Sequence, residues 1–145
     1  MATLKAQKRW LRVSALTIGF FGPVLTLATV PVTTEPARLG LDILAWPVDG
    51  FPSYASAEMR FLSALTGGFL VGWAVTVWRL GDLVFDAAPE GTRKSVVTGA
   101  LAWFAVDSLG SVTSGQWPNA LWNILVLMIV VGPMWRPALS TGDAQ

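Results

Sequence analysis

The stretch AEMRFLSALTGGFLVGWAVTVWRL, residues 57–80, decides the fold. From Phe61 to Trp78 no residue carries a charge, and an apolar helix of about 20 residues, rising about 1.5 Å each, crosses a hydrocarbon core of roughly 30 Å. Arg60 and Arg79 stand at its two ends, where charged heads reach the interface. Within it, Gly67-Gly68-Phe69-Leu70-Val71-Gly72 has small-x-x-x-small spacing, which lets helix backbones approach closely, either inside one chain or between two copies.

Working outward, residues 11–31, 95–114 and 118–135 have the same character. In the first, Pro23 after Gly22 predicts a kink, tolerable where neighbouring helices satisfy the freed carbonyl. The basic flank KAQKRWLR also resembles that of a secretory signal, but the apolar run is longer than such signals use and lacks an A-x-A site. Composition agrees: the 145 residues are 53% hydrophobic and 13% charged, against about 25% charged in soluble domains. The mean hydropathy is +0.56. The expectation is an all-α integral membrane protein, a four-helix antiparallel bundle forming a single transmembrane domain over residues 1–145.

The charges orient it. Lys5, Lys8, Arg9 and Arg12 precede the first span, Arg79, Arg93 and Lys94 fall between the second and third, and Arg136 follows the fourth. Of the 10 Lys and Arg, only Arg38 and Arg60 lie on the other side. Cytoplasmic flanks retain positive charge, so both termini are expected in the cytoplasm. Trp10, Trp78 and Trp135 then fall at the inner interface and Trp46 and Trp117 at the outer one, as an aromatic belt requires. In the first outer loop, residues 39–48 are apolar but too short to span, and predict a short interfacial helix. Asp49-Gly50-Phe51-Pro52 supplies a turn, and Ser53 or Ser56 can cap the next helix. On the inner side GDLVFDAAPEGTRK reads as a soluble loop. The short link SGQWP makes the third and fourth spans an antiparallel hairpin, and the tail PALSTGDAQ is expected to fray.

Absent residues exclude chemistry. Without Cys or His the chain has no thiol redox centre, disulfide, cysteine-bound cluster, His-ligated haem or structural zinc site, and no imidazole base for a triad. A net charge of +1 with dispersed basic residues argues against nucleic acid. No metal, cofactor or catalytic residue is assigned.

Polar groups within a bilayer cost several kcal/mol unless paired, so their placement is informative. Arg60 begins the second span, with Glu58 in the same first turn. Asp107, Ser111 and Ser114, at i, i+4 and i+7, share one face of the third span, and Asn119 and Asn123 repeat at i, i+4 in the fourth. At about 1.5 Å per residue, Arg60, Asn123 and Asp107 lie roughly 5, 7 and 10 Å below the outer end. Glu58, Arg60, Asp107, Ser111, Asn119 and Asn123 therefore form the candidate binding cluster. Asp107 is expected to pair with Asn123, with Arg60 or a water closing the network; Tyr54 and Trp117 read first as interface anchors, with roofing the cluster as the alternative. Trp73 and Trp103 fall mid-membrane and read as core filling.

Arg60 followed by Gly67 and Gly68, then Asp107-Ser108-x-Gly110-Ser111, then Asn119 and Asn123, make about half the chain resemble the small uncharacterised four-helix membrane proteins of bacteria that are loosely BphX-like. The resemblance implies a bacterial inner-membrane location and a four-span fold, and no established reaction. The leading functional expectation is a non-enzymatic structural or accessory subunit. The alternative is a small transporter or binder of an amphiphilic or ionic solute, with Asp107 as proton or ligand site. A lipid-modifying enzyme using Glu58 or Asp107 ranks third, for want of a nucleophile or metal site. The implied partners are the lipid bilayer and a homodimer or larger membrane complex, since four spans leave little room for a pathway.

Overall fold

The computed structural model describes residues 2–50 and 52–138. It contains α1 (Leu4–Leu27), α2 (Glu35–Ala45), α3 (Ala57–Leu83), α4 (Pro89–Thr113) and α5 (Trp117–Val131), with 3-10 turns at Pro31–Thr33 and Gly132–Trp135. Among the described residues there is no strand. Helices α1, α3, α4, and α5 with its closing turn are long and apolar enough to cross a membrane.

The helix ends follow local chemistry. α1 starts ahead of the expected residue 11 because Thr3 caps it, its hydroxyl accepting from the Ala6 N–H at 3.2 Å, and it runs through Pro23 without interruption. α2 lies earlier than residues 39–48, since Pro36 suits a first helical turn while Trp46-Pro47 cannot continue one. The tract GDLVFDAAPEGTRK departs most from expectation. α3 continues to Leu83 and α4 starts at Pro89, where a missing N–H costs nothing, so only residues 84–88 connect them. α5 stops at Val131 because Pro133 lacks a donor and Gly132 turns with φ 45°. A Cβ on Gly132 would run into the Trp10 indole. The tail expected to fray lies outside the described residues from 139 onward, as does Phe51 of the expected turn.

α1 and α3 run antiparallel and share the most extensive interface, and α4 and α5 form a second antiparallel pair. α5 also packs on α1, whereas α3 and α4, consecutive in the chain, touch little. The α1–α3 crossing depends on two glycines. A Cβ on Gly67 would lie 2.6 Å from the Gly22 carbonyl oxygen, and one on Gly22 3.0 Å from that of Gly67. Gly68 and Gly72 face open space, so of the glycine run only Gly67 serves this crossing. Leu11, Ile18, Val77, Ala100 and Val130 form the centre of the core. Trp73 and Trp103, ring centroids 6.1 Å apart, pack against it and fill the gap between α3 and α4.

At the end rich in Lys and Arg, side chains clasp the carbonyls that the α5 terminus leaves unpaired. The buried Gln7 amide donates to Pro133 O at 3.3 Å and Arg136 O at 2.8 Å, and Arg93 donates to Met134 O at 2.7 Å. Ser14 and the Trp10 indole reach Val130 O and Ile129 O at 2.5 and 2.8 Å. The outward faces are apolar: Phe20, Phe69 and Val106 are 67%, 71% and 74% exposed. Such faces suit lipid and not water.

Candidate functional site

Away from the basic end, α4 and α5 share a polar network. α4 presents Asp107, Ser108 and Ser111 toward Asn119 and Asn123 of α5. The Asn123 amide donates to Asp107 Oδ2 at 2.6 Å and to Ser108 Oγ at 3.2 Å. Asn119 donates to the same Oδ2 at 3.2 Å and to Ser111 Oγ at 2.8 Å. Ser111 in turn donates to the Asp107 carbonyl at 2.7 Å. Both amides thus converge on one carboxylate oxygen. No donor among the described residues reaches the other, Oδ1, and Asp107 has no ion-pair partner among them.

Two expected members stand apart. Arg60 turns back along its own chain, donating through Nη1 to the carbonyls of Tyr54 at 2.9 Å and Ala55 at 2.6 Å, where it closes the approach to α3. It therefore does not close the Asp107 network. Glu58 is exposed in the first turn of α3, beside the Ser56 cap that accepts from the Met59 N–H at 3.1 Å. The other four, Asp107, Ser111, Asn119 and Asn123, are brought together.

Beside the network lies a cavity of about 780 Å³. Its α4–α5 wall carries Asp107, Ser111, Ser114, Gln116 and Asn119; its opposite wall is Leu41, Leu44, Trp46, Pro47 and Met59 from α2, the following loop and the start of α3. Asp42 and Asp49 also line it, and no Lys or Arg does. Helix α2 is fastened over the site by the Trp122 indole, which donates to Ile43 O at 3.2 Å. The loop after it is folded around Asp42, whose buried carboxylate accepts from the N–H groups of Asp49 at 3.1 Å and Gly50 at 3.0 Å and lies 3.7 Å from Arg38. Arg38 also holds Glu35 at 2.9 Å.

Tyr54 and Trp117 do not roof the cavity. Tyr54 is buried with Ala28 and Ala37, and that burial holds its phenol above the ordinary value despite a hydrogen bond with Ser63. Trp117 is outward-facing, and Trp46 takes the place expected of it. Sequence reasoning also missed Asp42 and Ser108. A carboxylate in an otherwise apolar helix, seven residues ahead of Asp49-Gly50, was the available signal for the first.

The arrangement can pair with charge and exchange hydrogen bonds. It offers no nucleophile beside a base, and among the described residues no group of three or more acidic side chains that could hold a metal ion. No family model matches the chain, and no curated protein or solved structure matches it either.

Proposed function

We propose that this chain is a non-enzymatic, multi-pass protein of the bacterial inner membrane that binds an amphiphilic or ionic solute in the cavity beside Asp107. In this reading α1, α3, α4 and α5 form a four-span antiparallel bundle with both termini in the cytoplasm. α2 lies in the outer interface, which sets the cavity in the outer leaflet. The apolar outward faces and the concentration of Lys and Arg at one end support that placement. The observation that carries the binding role is the carboxylate's asymmetry: Oδ2 is held by two amides while Oδ1, on a residue that borders a ligand-sized cavity, has no donor among the described residues.

A second reading, the structural or accessory subunit, is favoured by the same amides, because Asn119 and Asn123 tie α4 to α5 as interhelical hydrogen bonds commonly do in membranes. One experiment separates the two. Asp107→Asn keeps the shape and an acceptor for the amides. If the residue is only a tie, the variant stays folded and retains whatever copurifies with the wild type from native membranes. If it is a ligand group, the variant stays folded and loses a small molecule that mass spectrometry finds on the wild type.

A further inference from the structure

We infer that the solute is an organic cation, an ammonium or guanidinium head on an apolar body. This rests on the binding role proposed for the Asp107 cavity and specifies what it selects. A carboxylate within a membrane-spanning helix needs a counter-charge, and the chain withholds its own. The two basic residues in this half are engaged elsewhere, Arg60 with the carbonyls of Tyr54 and Ala55, and Arg38 with Glu35 and Asp42. Asp107 stands on the lining with no Lys or Arg beside it, so an anion would meet repulsion there. A neutral amphiphile would leave Asp107 hydrogen-bonded to its two amides but without a counter-charge.

The remaining walls describe the rest of the molecule. Ser111, Ser114, Gln116 and Asn119 offer acceptors around the carboxylate for the several N–H groups of an ammonium or guanidinium. Opposite them Leu41, Leu44 and Met59 make an apolar surface, and the Trp46 ring adds a face to which a cation is attracted. A hard inorganic cation would need a cage of about six oxygens, and half of this lining is hydrocarbon. The volume, about 780 Å³, holds a drug-sized molecule, well beyond one ion.

Three probes of nearly equal shape test this: 1-naphthylmethylamine (cationic), 1-naphthalenemethanol (neutral) and 1-naphthaleneacetate (anionic). Each is titrated at pH 7 against the full chain in dodecyl maltoside micelles, which carry no ammonium group, with empty micelles as blank. The inference predicts saturable binding of the amine at least tenfold tighter than the alcohol, with the acetate weakest. In Asp107→Asn the amine falls to the alcohol's level; in Asp107→Glu, which keeps the charge, the amine's advantage persists. Equal binding of amine and alcohol to the wild type would overturn the cation assignment while leaving the cavity a binding site. No saturable binding of any of the three would overturn both. Because the comparison among probes uses the unaltered protein, it decides the matter even if a variant does not fold.

Discussion

Where α1 crosses α3, two helices meet through missing side chains; where α4 meets α5, they meet through polar ones. At the first contact Gly22 and Gly67 bring backbone against backbone, and the groove of about 560 Å³ beside it is apolar along Leu16, Phe20, Pro23, Val71 and Val75, with Arg79 at its end. At the second, four hydrogen bonds from Asn119 and Asn123 span the pair, and beside them space remains. A steric contact specifies one geometry and offers a ligand no hydrogen bond. A polar contact in lipid holds its helices through groups that a solute can also use. One short chain thus closes one seam by shape and joins the other by hydrogen-bonding groups.

The largest effect should come from breaking the first seam. Gly67→Leu must displace the Gly22 carbonyl and Thr26, so it is expected to destabilise the protein by about 1–3 kcal/mol or more, read as a lowered thermal midpoint in detergent. Gly68→Leu, one residue on and facing open space, is expected to leave the midpoint nearly unchanged. Equal effects at the two positions would mean that this crossing is not what holds α1 to α3.

Breaking the second seam should cost less. Asn123→Leu removes the 2.6 Å bond to Asp107 and buries an apolar group beside a carboxylate, for an expected loss of about 1–2 kcal/mol by the same measurement. Asp107→Asn is expected to cost under about 1 kcal/mol, since an amide oxygen still accepts from both asparagines, whereas Asp107→Leu strands both donors and should cost as much as Asn123→Leu. The smallest effect sharpens the comparison from the other side. The ion pairs Lys8–Asp86 and Arg12–Asp82 close the basic end of the α1–α3 seam but are solvent-accessible. Lys8→Gln should therefore shift stability by less than about 1 kcal/mol, and by nothing measurable in high salt. A larger shift would mean that charge, and not glycine packing, fastens α1 to α3.

The spans were legible because lipid imposes a length and an apolar composition that few alternatives share. Asp107, Ser111, Asn119 and Asn123 were legible because helical spacing puts i and i+4 on one face and the short turn after Thr113 forces α4 and α5 together. The remainder depended on tertiary partners. Depth makes Arg60 one of two ways to close the Asp107 network, a water being the other, but a guanidinium takes the nearest carbonyls its own chain offers, those of Tyr54 and Ala55. The tract around Ala87 looked like a soluble loop by composition, yet α3 runs on to Leu83 and α4 starts at Pro89, which suits a first helical turn. The weak contact between α3 and α4 could not be read at all, because chain adjacency says nothing about which faces meet. The cavity is bounded by α2 and the loop after it, set against α4 and the start of α5.

The central claim is that the cavity opens toward the outside of the cell while the basic end stays within. A chain without cysteine allows a direct measurement. Single cysteines are placed at Gln116→Cys on the cavity lining and at Ala87→Cys in the connection between α3 and α4, both exposed. Intact cells are then treated with a membrane-impermeant maleimide. The account predicts labelling of Gln116→Cys from outside and of Ala87→Cys only after the cells are opened. Labelling of Ala87→Cys in intact cells, with Gln116→Cys protected until lysis, would contradict it.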